Sequence, residues 1–146
     1  MEKAILEKVD KLVDMYKKGL LGGEVMPEDS NPNFAKESKE NYNYFTLPMA
    51  LNYQRNSYKL WESANSTWED ATTKFVFDTE KVKESSFEQV QQALTKYKVA
   101  MQQNKQTEIW IKLCNTINEL FNGDIRNLFK INNYDIAPFF QYPIFK

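Results

Sequence analysis

The sequence contains no histidine. Imidazole is thereby excluded as a general base, a proton relay or a metal ligand. A single cysteine, Cys114, rules out an intramolecular disulfide and any all-cysteine metal cluster within one chain. Glycine is scarce, with four residues in 146, and Gly22-Gly23 is an isolated pair without the spacing of a phosphate-binding loop. There is no basic excess: 19 Lys and Arg stand against 20 Asp and Glu, for a net charge of -1 and a pI near 5.6. That balance argues against strong non-specific affinity for nucleic acid. No stretch is apolar for the length that a bilayer demands, and the N-terminal MEKAILEKVDK is too charged for a secretory signal. The absences together lead to the expectation of a soluble cytoplasmic protein that uses no metal and no cofactor and does not engage a membrane.

What is present favours helix. The chain is 42% hydrophobic and 14% aromatic, enough to bury one core, so residues 1–146 are read as one domain. Leu, Lys, Glu and Gln are abundant and runs of β-branched residues few, which predicts an all-α fold. Ile5, Leu6, Val9, Leu12, Val13 and Tyr16 form a stripe that predicts a helix over Glu2 to Lys18, packed on the core. Residues 24–43, with two prolines, four asparagines and alternating charge, read as a mobile loop. Thr46 offers an N-cap for a helix from Leu47 to Asn52, with Pro48 in its first turn, and a second helix follows from Ser57 to Trp68. Phe75-Val76-Phe77 reads as an anchor into the core, and Asp78 to Lys81 opens a short helix with an acidic first turn. Ser85 and Glu88 match a capping box for a helix over Phe87 to Ala100. The polar run Gln102 to Gln106 breaks it, and Thr107 caps a helix that Asn122-Gly123 ends near Phe121. Asp124 then caps a short segment holding Ile125, Leu128 and Phe129. The expected core is Leu51, Leu60, Trp61, Leu94, Trp110, Leu113, Ile117 and Phe121.

One feature interrupts the apolar pattern. Leu47, Met49, Ala50, Leu51 and Tyr53 are followed by Gln54, Arg55, Asn56 and Ser57, and then by Tyr58, Leu60 and Trp61. Four hydrogen-bonding side chains in a row are costly to bury. Either they reach solvent at a bend between helices or they form a site.

The residues around this break resemble a known family. Leu51-Asn52-Tyr53-Gln54-Arg55-Asn56-Ser57, followed by Lys59-Leu60-Trp61, is similar to a segment of the helix-hairpin-helix DNA glycosylases of the endonuclease III type. There an apolar helix ends in a Leu-Ser-x-Gln-x-Thr-like turn whose Gln enters the duplex beside the flipped nucleotide. Gln54 falls on that position. Asn52 stands where the family has Ser, Arg55 where it has a small residue and Asn56 where it has Thr. Further on, Phe87 to Gln92 and Asn104-Lys105, with the apolar helix ending Leu120-Phe121-Asn122-Gly123-Asp124, resemble later passages of the family in the same order. The resemblance covers about Phe45 to Asp124 and implies an orthogonal helical bundle. It also implies candidate contacts to double-stranded DNA from Gln54, Arg55, Asn56, Ser57, Lys59 and Lys105.

The departure from the family bears on chemistry. The sequence ends at Ala137-Pro138-Phe139-Phe140-Gln141-Tyr142-Pro143-Ile144-Phe145-Lys146, where the family's hairpin begins, so no residue takes the catalytic Lys or Asp role by motif. Glu69-Asp70 and Glu28-Asp29 read as solvated or capping pairs, and Cys114 as a buried, inert thiol. The aromatics near the break, Tyr42, Tyr44, Tyr53, Tyr58, Trp61 and Trp68, read first as core and only second as stacking platforms for bases. Two functions are therefore carried forward. One is a DNA-binding protein of the base-excision repair type without catalysis in this chain. The other is a non-enzymatic helical interaction module. The apolar run Ile136 to Phe145 adds an expectation of self-association or of a partner chain.

Overall fold

Capping side chains divide the chain into its helices. The computed structural model describes residues 2–22, 26, 29 and 31–135, and every regular element among them is helical. Helix α1 is Glu2–Lys17, α2 Lys39–Thr46, α3 Ser57–Glu69, α4 Thr79–Glu84, α5 Phe87–Lys96, α6 Gln103–Phe121 and α7 Arg126–Ile131. Two 3-10 turns, Pro48–Leu51 and Lys74–Phe77, lie between them. The tail at 136–146 is outside the described residues.

The boundaries differ from the sequence reading where a side chain caps unexpectedly. Ser38 accepts the Asn41 N–H at 3.1 Å and starts α2 inside the stretch read as a mobile loop. Thr46 consequently ends a helix instead of beginning one, and the next segment is a single 3-10 turn with Pro48 at its start. The capping box of α5 is Ser86 with Gln89, one residue later than expected, because Ser85 belongs to the end of α4 and donates its hydroxyl to the Lys81 carbonyl. Helix α5 stops at Lys96. Beyond it Lys98 turns left-handed and the Ala100 N–H returns to the Leu94 carbonyl at 2.9 Å.

Helix α6 begins at Gln103, four residues before Thr107. The polar run that looked like a break leads into its first turn, exposed as far as Lys105 with Gln106 buried. Gln106 folds its side-chain oxygen back to accept the N–H groups of Met101 and Gln102, and the Thr107 hydroxyl donates to the Gln103 carbonyl. The other end follows the sequence: Asn122 takes the left-handed conformation at φ 52°. Asp124 accepts the Arg126 N–H at 3.0 Å as α7 begins.

Tyr44 sits at the middle of the core. Fully buried, its ring lies 5.2 to 5.6 Å, centroid to centroid, from Phe34, Phe45, Trp61 and Phe77, and 6.2 Å from Trp68. Phe77 passes the contact on to Trp110 of α6 at 5.8 Å, and the Trp110 indole donates to the Val76 carbonyl at 2.9 Å. The anchoring role read for Phe75-Val76-Phe77 is thus taken by the second 3-10 turn, with Val76 and Phe77 buried. Of the expected core, Leu51, Leu60, Trp61, Leu94, Trp110, Ile117 and Phe121 are buried, while Leu113 is half-buried at the edge.

Helix α1 overturns one expectation. Its stripe does not pack on the core: Ile5, Leu6, Val9, Leu12 and Val13 are each 46–59% exposed. Periodicity reports that one face suits burial, not which surface covers it. The helix is held locally by a Lys18–Asp14 ion pair at 2.7 Å and by a left-handed Gly19 after its last turn, where the Leu20 N–H returns to the Met15 carbonyl.

This contrast generates a stability prediction. Trp110→Ala removes a fully buried ring and should cost about 3 to 5 kcal/mol. Leu6→Ala in α1 should change stability by no more than about 0.5 kcal/mol. Urea unfolding of the two variants beside the parent chain separates them, and comparable losses would mean that α1 is covered.

Candidate functional site

The polar break resolves into four side chains with four different jobs. Asn56 caps α3, accepting the Lys59 N–H at 3.1 Å. Asn52 donates its side-chain N–H to the Ser57 hydroxyl at 3.3 Å, bridging the turn from one end to the other. Arg55 turns inward. Its Nη1 donates to the Val99 carbonyl at 2.7 Å and its Nη2 to the Lys98 carbonyl at 3.1 Å. Its Nε is buried without a partner, and desolvation pulls the guanidinium pKa below its ordinary value. Arg55 was expected to stand exposed and meet a phosphate. The structure spends it as a clasp between this turn and the connector from α5 to α6.

Gln54 is left as the outward residue. It is exposed and left-handed, with φ 51°, a conformation that costs a residue carrying a Cβ. Its neighbour Tyr53 is 75% exposed, so of the aromatics near the break it stands furthest from the core role expected of the group. Tyr44 and Trp61 are the opposite case, fully inside.

The candidate cations differ in how the structure places them. Lys59, in the first turn of α3, is exposed and paired to Glu62 at 3.3 Å. Lys105 is exposed in the first turn of α6, and α6 packs against the Pro48–Leu51 turn that leads into the break. Lys98 escaped the sequence reading. It is exposed, and Arg55 holds its carbonyl, which ties it to the Gln54 turn across 43 residues of chain. Only the hydrogen bond reveals it, because nothing in the spacing joins the two segments.

Other chemistry is sparse. Among the described residues no group of three His, Cys, Asp or Glu side chains is placed to hold a metal ion, and no helix is long and apolar enough to cross a membrane. The Cys114 thiol is buried and burial pushes its pKa up, as for an inert core thiol. Two clefts, of about 410 and 440 Å³, lie near the C-terminal end of α3, away from Gln54. Comparison of the chain with protein-family models, curated proteins and solved structures finds no match.

The far end of α3 is fixed by a polar knot. The Asp70 carboxylate accepts hydrogen bonds from the Lys96 ammonium, the Thr72 hydroxyl and N–H, and the Tyr97 hydroxyl, and these hold its pKa well below the carboxylate range, Lys96 first. A depressed folded-state pKa stabilises at every pH above the unfolded value of about 4, and that contribution is lost as pH falls through the folded value. Asp70→Asn should therefore melt below the parent protein at pH 7, with the gap closing as the pH is taken down from about 4. Thermal melts of both chains across that range test the linkage. A gap independent of pH would assign the loss to packing instead of charge.

Proposed function

We propose that this chain is a DNA-binding protein related to the helix-hairpin-helix DNA glycosylases, using the Gln54 turn to engage double-stranded DNA and carrying no catalytic residue of its own among those a motif can assign. The observation that carries the reading is the state of Gln54. It is the member of the polar break left free, on a left-handed turn that Asn52, Arg55, Asn56 and Ser57 hold through hydrogen bonds. Strained, exposed residues on a well-determined frame are what a recognition element requires. The family resemblance gives that residue a role, insertion beside an extruded nucleotide.

The reading asks each neighbour for something different. Tyr53 offers a face for an unpaired base. Lys59 and Lys105 supply phosphate contacts, which position the protein without reading sequence. Arg55, Asn56 and Ser57, first taken as contact residues, support the turn. With a net charge of -1, overall attraction to DNA is weak, and binding depends on a distorted site where the wedge has something to replace. The compartment proposed with this reading is the cytoplasm.

A second reading, a helical interaction module, is favoured by one observation, the exposed apolar stripe of α1. The two separate by experiment. On the DNA reading, the chain at low salt binds a duplex with an abasic site more tightly than an intact duplex, and Gln54→Ala reduces that preference several-fold while leaving intact-duplex binding unchanged. Lys59→Gln with Lys105→Gln weakens both and flattens the salt dependence by up to about two units of slope. Fluorescence anisotropy measures all three. Equal binding of the abasic duplex by parent and Gln54→Ala would remove the wedge and leave the interaction module as the better account.

A further inference from the structure

We infer that Lys98 is a further DNA-contacting residue on the same face as Gln54, and that Arg55 is the positioning residue joining the two; this rests on the DNA-binding reading above. The two turns are far apart in sequence and each has a non-glycine residue in the left-handed region, Gln54 at φ 51° and Lys98 at φ 64°. Such residues persist only where the surroundings hold them. For both turns the holding group is Arg55, which follows Gln54 directly and donates to the carbonyls of Lys98 and Val99.

The cost of that clasp is informative. A guanidinium has been drawn partly out of water and its Nε left buried without a partner, to connect the Gln54 turn with a second turn that carries the exposed Lys98 and the buried Val99. Satisfying the Val99 carbonyl accounts for one of the two bonds; the second, to the carbonyl of exposed Lys98, fixes that turn relative to Gln54 as well. A recognition face needs that fixing, because a wedge and a phosphate contact act on one duplex only when their separation is fixed.

Lys98 is built for the second role. Its turn is anchored from behind: Val99 and Ala100 are buried, the Lys98 N–H bonds to the Thr95 carbonyl at 3.0 Å, and the Ala100 N–H bonds to the Leu94 carbonyl. The ammonium itself is exposed, and among the described residues no carboxylate forms an ion pair with it, unlike Lys59 beside Glu62 or Lys96 beside Asp70. An unneutralised cation on a fixed stem next to the wedge suits the phosphodiester backbone flanking a distorted base pair.

The test uses the whole chain, a duplex bearing one abasic-site analogue and the intact duplex of the same sequence, titrated by anisotropy over a salt series. Lys98→Gln should weaken both duplexes and reduce the salt slope by about 0.9, the value of one phosphate contact. Arg55→Met should cut the abasic-over-intact preference several-fold, and in its background Lys98→Gln should change the slope by less than half as much. A merely structural Arg55 would lower the melting temperature without that coupling. If the parent chain binds the abasic duplex but Lys98→Gln leaves the slope unchanged, this inference fails and the DNA-binding reading survives. If the parent chain binds neither duplex at low salt, both fall. Should Arg55→Met not fold, the Lys98→Gln slope decides alone, since that side chain is exposed.

Discussion

The fold depends on one aromatic contact system, centred on Tyr44. Five aromatic rings surround it, and they come from the loop before α2, from α2 itself, from both ends of α3 and from the 3-10 turn before α4. Elements distant in sequence are thereby fixed against one residue, and Phe77 extends the contact to Trp110 on the longest helix. The Tyr44 hydroxyl has no hydrogen-bond partner and burial pushes its pKa up, so the ring holds its place by packing against the polar penalty of its own oxygen. The same cluster sets where α3 lies. With Trp61 and Trp68 both packed on Tyr44, the helix is pinned along two of its turns, and its N-terminus, where the Gln54 turn ends, is positioned with it.

At the two ends of α3, polar groups complete what the aromatics begin. Asp70 ties the C-terminal end to Lys96 and Tyr97, while Arg55 ties the N-terminal end to the carbonyls of Lys98 and Val99. Both partners belong to the end of α5 and the connector after it. Helix α3 and this connector therefore behave as a frame bolted at two points, one through a carboxylate and one through a guanidinium. The two bonds differ in kind. The Asp70 knot satisfies its acceptor fully, whereas Arg55 leaves one donor buried and idle, a cost compatible with a turn whose exact geometry matters.

Periodicity and caps made much of this visible before any coordinates. Helix α6 was legible because Trp110, Ile117 and Phe121 recur on one face, and its end was legible because Asn122-Gly123 admits a left-handed residue. Its start was not. There the cap comes from Gln106, a residue inside the helix reaching backward, and no position-by-position pattern announces that. Ser85 and Ser86 are equally good caps in isolation, and only the completed turn of α4 decides between them. For the site, the polar break itself was legible, but the division of labour within it was not. Arg55 and Gln54 look alike in sequence as exposed polar residues. Which one faces out depends on carbonyls more than forty positions away.

Charge then limits how such a site works. Three lysines, Lys59, Lys98 and Lys105, give a salt slope of about -2.7 if all meet phosphates, far short of the six to ten contacts behind strong backbone affinity. Lys59 is partly neutralised by Glu62, which reduces even that. On the proposed DNA-binding reading, three such cations on an acidic chain leave most of the binding free energy to a site where a base is missing or displaced. There, on the same proposal, Gln54 and Tyr53 would replace lost stacking and hydrogen bonds, the lesion having already met the unpairing cost. Under that proposal the weak cationic character that first argued against nucleic-acid binding has a different meaning: it would suppress retention on intact duplex and leave the wedge to discriminate.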